Sequence, residues 1–508
     1  MTVERDTTRR RRSGTRARWT VAAGVAALLG VAAAPALAHA ADHHAADHHA
    51  AGTRGAGAVV ATFDGHRLVE EWSRTLPDQG HPIALSSPTS ALVDGRRAVV
   101  VGDLAGNLWA LDLVGGATVP GWPYHAGAPI ESSPSAAAGQ VLFGVGSAAV
   151  PGVVGGYRSV WAAGRGNGRL HWARSVALTP NGGRPTGVAA GLAVGVLQGH
   201  LSVVAGSLGQ MEGAYSVAGG AALRGFPWWQ ADSQFDTPAI ADLYGNGQDE
   251  IVEGGASTAN PYLHPAYYNG GHLRVLSQSG RLLCVHNTDE EVDSSPAVGR
   301  FLAGGAVGIV AGTGTFYKGV SDEDALIAMT PGCRVTWEDH LAGATSDSPA
   351  LLGALPGPGL EVAMGTAAAG GGYAYLLDGA DGRVVWRTRL AGSVIGGITS
   401  ADLGGTWDGR AYQDLLVPTT AGLYILDGRS GSVLAHLPGV GLQSSPLVTG
   451  DPDGLIGITI AGYDGHDQGQ VVHFEVTGTR AALADEAGAW PMFHRDPQLT
   501  GSTLAPVG

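Results

Sequence analysis

Four acids stand one or two positions ahead of a Ser-Pro or Thr-Pro step: Glu131, Asp236, Asp293 and Asp347. If each step opens the innermost strand of a repeated sheet, these carboxylates gather at one mouth of a central channel and could hold a cation or a cationic ligand. Their plainer role is local, since a side-chain oxygen just before a strand accepts an otherwise idle backbone N–H. A second polar concentration is ADHHAADHHA, residues 41–50, in which His43, His44, His48 and His49 offer imidazoles for weak copper or nickel binding. Were Ala41 the mature N-terminus, its amine, two amide nitrogens and His43 would make a square-planar nitrogen set suited to Cu(II) or Ni(II). Trp228 and Trp229, in the run FPWW, break the pattern of the other tryptophans and on a loop could stack on a sugar or a protein. Catalytic spacings are missing: the chain has no Gly-x-Ser-x-Gly elbow, no His-Glu-x-x-His, no phosphate loop and no dinucleotide glycine fingerprint.

The elements that must position these residues are repeats. Ser87-Pro88, Ser133-Pro134, Thr237-Pro238, Ser295-Pro296, Ser348-Pro349 and Ser445-Pro446 each lead into an apolar run, with weaker copies near Gly187 and Gly397. Eight such anchors imply units of about 51 residues, close to the period of a propeller blade. Each anchor leads to a second apolar run ending in Gly, as at 98–102, 250–254, 308–312 and 361–365. There follows a strand, a turn centred on Asp and Gly, and a strand often carrying Trp, most clearly in YLLDGADGRVVW, residues 375–386. Short Gly-bounded alternating runs favour strands over helices. The expected fold is therefore all-β: a closed propeller of four-stranded antiparallel blades, eight in number, or seven if one weak unit is an insertion. Residues 57–76 read as a second half without a first, so their pairing into the last blade would close the ring and remove an exposed edge. Residues 470–476 supply a further strand to that blade. Trp172, Trp337 and Trp386 recur at blade spacing and read as wedges between blades. Cys284 and Cys333 fall on successive blades, where a disulfide and two free thiols are both open readings.

Two segments resemble known repeats. TPAIADLYGNGQDEIV, residues 237–252, resembles the FG-GAP/VCBS repeat, and the Asp378, Gly382, Trp386 spacing resembles the quinoprotein (PQQ-like) repeat. The tail WPMFHRDPQLTG, residues 490–501, is similar to a segment that accompanies secreted repeat proteins of this kind. The first resemblance implies a calcium loop at Asp242, Asn246, Asp249 and Glu250, although Tyr244 stands where an oxygen ligand is expected. A polar turn using Asn and Gly for backbone freedom is the alternative. The second resemblance implies blade packing; quinone binding is not expected, because the chain lacks the adjacent cysteines of the family's dehydrogenases.

Composition and address complete the expectation. The 508 residues include 82 Gly and 27 Pro, which disfavours long helices, while 44% hydrophobic residues can supply a large core. Residues 1–40 carry seven Arg and two acids, leaving −19 for the remainder, which has one Lys, Lys318, so nucleic acid is excluded as a partner. The Arg run at 9–12 precedes an apolar stretch, residues 19–38, that ends in two Ala-x-Ala sites. This is a secretory signal, cleaved near Ala38 or Ala40 and leaving no membrane span. The expected organisation is a signal peptide over 1–40, a His-rich linker over 41–56 and a propeller with a C-terminal strap over 57–508. The expected role is an exported, monomeric binding or scaffold protein for a protein or carbohydrate, needing no cofactor. A quinone-dependent dehydrogenase or carbohydrate-active propeller is the alternative.

Overall fold

The computed structural model describes residues 57–504 except 149, 151–152, 180–185, 231, 258–269, 347, 356–358, 405, 408–409 and 479–489. Asp347, the four linker histidines and the signal segment lie outside the described residues. The described residues form eight antiparallel blades, with helix confined to two three-residue 3-10 turns. Blade 6 shows the local logic: Ala350–Leu352, Glu361–Ala368, Gly371–Asp378 and Val384–Leu390 run from axis to rim, joined by short turns. Its middle strands are buried on both faces, because each blade stacks its apolar side chains against two neighbours.

The ring closes as the sequence implies. Ala58–Phe63 and His66–Thr75 pair onto Gly469–Thr477, giving blade 8 five strands where the others have four. The tryptophans are inter-blade wedges. The indole nitrogens of Trp72, Trp172, Trp337 and Trp386 each donate 2.9 Å to a carbonyl of the next blade, at Leu113, Val217, Gly379 and Gly428. The turn glycine of the repeat is dictated by this contact. At Gly382, with φ 78°, a β-carbon would stand 2.7 Å from the Trp337 ring, and Gly431 bears the same relation to Trp386. Cys284 and Cys333 form a disulfide, with Cα atoms 5.7 Å apart, tying blade 4 to blade 5.

The C-terminal strap runs around the axis one level below the anchors. The backbone N–H three residues beyond an anchor donates to it in six blades: Ser400 to Trp490, Val448 to Pro491, Ala136 to Pro497, Val194 to Gln498, Ile240 to Thr500 and Val298 to Gly501, at 2.7–2.9 Å. An innermost strand has one unpaired edge facing the channel, and the strap satisfies it.

Candidate functional site

The anchors themselves build a ring of hydroxyls around the axis. The Ser445 amide donates to Ser87 Oγ at 2.9 Å, Ser87 to Ser133 Oγ at 3.0 Å, Gly191 to Thr237 Oγ1 at 2.9 Å, and Thr237 to Ser295 Oγ at 2.8 Å. Blade 3 enters this ring at Gly191, four residues beyond the expected Gly187, and blade 7 at Gly397 as expected. Ser and Thr recur at the anchors because their hydroxyls stitch blade to blade where the strands converge. Above the strap the ring encloses a pocket of about 180 Å³. Its walls include Leu85, Phe235, Val394 and Ile395, Phe493 of the strap lines it, and Glu131 and Asp293 supply its carboxylates.

The anchor acids separate into two roles. Glu131 accepts Ser147 Oγ at 2.6 Å and the Ala148 amide at 2.8 Å, and Asp236 accepts the Gly254 amide at 2.8 Å, which is the local strand-opening role. Asp293 leaves Oδ1 without a partner. Asp242 accepts the Asn246 and Gly247 amides at 3.0 and 2.8 Å, Asn246 Oδ1 accepts Gln248 N, and Glu250 accepts Leu243 N at 3.1 Å. Burial pushes Asp249 to about 6 and Glu250 to about 7. These oxygens hold the hairpin turn between the first two strands of blade 4, so an Asp242→Ala variant should lose about 1 kcal/mol. Paired melting curves of that variant in calcium and in chelator decide between the two readings of this loop: a loss of the same size in both belongs to the turn.

Trp228 and Trp229 are not on a loop. They form the short outermost strand of blade 3, half-buried, with the Arg274 guanidinium 4.3 Å from the Trp228 ring. The two tryptophans are strand because Glu212 and Met211 pair with them across the blade edge.

Sequence reasoning missed a buried charged cluster between blades 3 and 4. Arg274 Nε bonds Glu253 Oε1, its Nη2 donates to Gln230 Oε1 at 3.0 Å, and Gln234 donates to Glu253 Oε2 at 3.1 Å, all with exposures of 1% or less. Glu212 is equally buried, its carboxyl hydrogen-bonded to that of Glu253. Burial and the Glu253 charge hold both Glu212 and Asp236 well above the usual carboxylate range. His272 donates or accepts at Ser257 Oγ, 2.7 Å away, and burial keeps it neutral. His272 and Arg274 inside the fully buried strand Gly271–Leu276 and a Glu ending Glu250–Glu253 were the available signals. A separate trio, Asp451, His473 and Glu475, has metal-like proximity, but both His473 nitrogens are engaged, with Thr459 Oγ1 and Asp451 at 2.9 Å.

Raised carboxyls dominate the titration of the fold. Burial lifts Glu361 and Glu290 to about 7, Asp414 to about 8 and Glu291 to about 10. A carboxyl whose folded value exceeds its unfolded one stabilises fully below about pH 4 and loses that contribution as pH rises through the folded value. Buried neutral His272 and His494 act oppositely, losing their contribution as pH falls below about 6.5, but they are fewer. Melting temperature should therefore be several degrees higher at pH 6 than at pH 8.5; calorimetry showing a flat or reversed trend would contradict this balance.

No family model matches the sequence, and no curated protein matches it. Among solved structures, the chain is similar to BamB from Moraxella catarrhalis, with 14% identity over 81% of this chain and 99% of that one and a TM-score of 0.51. It also matches Sqt1 from Saccharomyces cerevisiae (11% identity, 78% and 100% covered, TM-score 0.49) and the quinohemoprotein alcohol dehydrogenase from Comamonas testosteroni (16%, 86% and 76%, 0.39). The chain is an eight-bladed β-propeller, and BamB shares that fold.

Proposed function

We propose that the chain is an exported binding protein whose recognition site is the central pocket on the anchor face. One observation carries this: the strap passes beneath the anchors and Phe493 lines the pocket, so the axis is a concave site rather than an open tube. Export rests on the Arg run and apolar stretch of residues 1–40. Among the described residues no helix is long and apolar enough to cross a membrane. A protein partner accords with the loops that surround the mouth, where recognition usually sits.

The quinone does not fit this pocket. Pyrroloquinoline quinone is a polycarboxylate, whereas the described lining offers Glu131 and Asp293 and neither Arg nor Lys. Titration calorimetry with the quinone and calcium should give no heat of binding, and a micromolar constant would overturn that expectation.

The site is tested with a photo-crosslinking residue placed at Ser346, which lines the pocket, and in a second protein at Leu92, which is exposed near the opposite end of an innermost strand. With secreting cells and their medium, adducts are expected from Ser346 and not from Leu92, and Ile395→Arg should abolish them. Equal adducts from both positions, or none from Ser346, would remove the pocket as the recognition site. N-terminal sequencing of the exported chain should begin at His39 or Ala41.

A further inference from the structure

The pocket mouth keeps carboxyls together at a cost the fold does not require. Asp293 lines the pocket with Oδ1 unpartnered, and Asp236, fully buried beside Thr237 of the hydroxyl ring, also leaves Oδ1 without a partner. Burial and then Asp232 push Asp293 up to about 7, while burial and then Asp293, Asp232 and Glu290 raise Glu291. Glu290 is already used, accepting the Glu291 amide at 2.8 Å and the Tyr317 amide at 2.7 Å. Across the pocket stands Glu131, and no Lys or Arg is among the described lining residues. Mutual repulsion of this kind destabilises a fold and is retained where a ligand relieves it.

Beside the anchor hydroxyls, Leu85, Phe235, Val394, Ile395 and Phe493 give the wall its apolar part. About 180 Å³ is room for roughly six waters or one long unbranched chain. We propose that the pocket binds a chain tipped by an ammonium or guanidinium group, its apolar stem against these walls and its charge at Asp293 and Glu131. This rests on the pocket being the recognition site. A cation there gains partners for Asp293 Oδ1 in a partly desolvated setting, while the stem displaces water from apolar surface. The same chemistry comes from a free amine or from a Lys or Arg side chain of a protein, and the probes below separate them.

Titration calorimetry would use agmatine, cadaverine, 1-pentanol, glutarate and the peptide acetyl-Gly-Gly-Arg-Gly-Gly-amide. Agmatine, cadaverine or the peptide should bind, pentanol and glutarate should not, and Asp293→Asn combined with Glu291→Gln should weaken binding at least tenfold. Tighter binding of the peptide assigns the site to a partner's side chain, and tighter binding of the free amines to a small ligand. Because Asp293 Oδ1 has no partner to lose and burial already raises Glu291 to about 10, the double variant should melt at or above the parent temperature. Binding lost from a fold of undiminished stability is a signature that a structural role would not produce. The single variant Asp293→Asn serves as a check should the double variant misfold. Cation binding unchanged in these variants overturns the proposal. So does binding of pentanol or glutarate in place of the cations, or no binding by any probe. Each of these outcomes leaves the Ser346 crosslinking result to decide separately whether the pocket is a recognition site.

Discussion

Deleting the strap from Trp490 onward should leave a chain that is insoluble or lacks a cooperative melting transition. The segment contributes three apolar side chains with exposures of 0–2%, Trp490, Met492 and Leu499. Removing any one of these to Ala costs about 2–5 kcal/mol, so together they approach the whole ~5–15 kcal/mol stability of an ordinary fold. Its loss also strips backbone partners from the innermost strands of six blades, at the point where all blades converge. His494 pins the turn of the strap, its ring nitrogens 2.8 and 3.0 Å from the Leu499 and Pro296 carbonyls. Trp490→Ala alone should cost about 3–5 kcal/mol by denaturant titration with an unchanged slope. A strapless chain that melts within a few degrees of the parent would show that the blades close without it.

The architecture was legible because repetition turns weak signals into a register. One Ser-Pro step means little, but six Ser-Pro or Thr-Pro steps set one or two blade periods apart fix where six innermost strands begin, and the unmatched half at 57–76 fixes how the ring closes. The tryptophans were equally readable, since a bulky aromatic at blade period has to fill the gap between blades. What stayed hidden depends on contacts between blades that no local pattern reports. Arg274 and Glu253 are cross-strand partners within blade 4, but Glu212 is on the preceding blade, so its meeting with them follows from radial packing alone. A C-terminal strap was expected, but its path was hidden for the same reason: the Ala136 amide donates to Pro497 across most of the chain. Trp228 and Trp229 were misplaced because a Pro before two aromatics reads as loop punctuation, while the Arg274 face contact and the Met211 pairing make them strand.

Replacing Arg274 with Met should cost about 3–5 kcal/mol, the largest loss expected from any single charged residue here. Arg274 is the one cation bonded to a cluster that contains Glu212, Glu253 and Asp236, all fully buried. Burial and the Glu253 charge keep Glu212 and Asp236 well above the usual carboxylate range, and it is Glu253 that Arg274 bonds directly. Without the guanidinium, Glu253 must be buried unpaired or take a proton, and Trp228 loses the cation over its face. Arg274→Lys should recover little, because one ammonium cannot reach both Glu253 and Gln230 as the fork does. The pair Arg274→Met with Glu253→Gln should return most of the lost stability, since the cost lies in the orphaned charge rather than in the missing bond. Glu212→Gln should be neutral or stabilising, since the amide keeps a donor for Glu253 and removes a second acid beside it. Chemical denaturation of the four variants distinguishes these terms: a double variant no more stable than Arg274→Met would mean that the guanidinium acts through packing on Trp228 and not through the charge of Glu253.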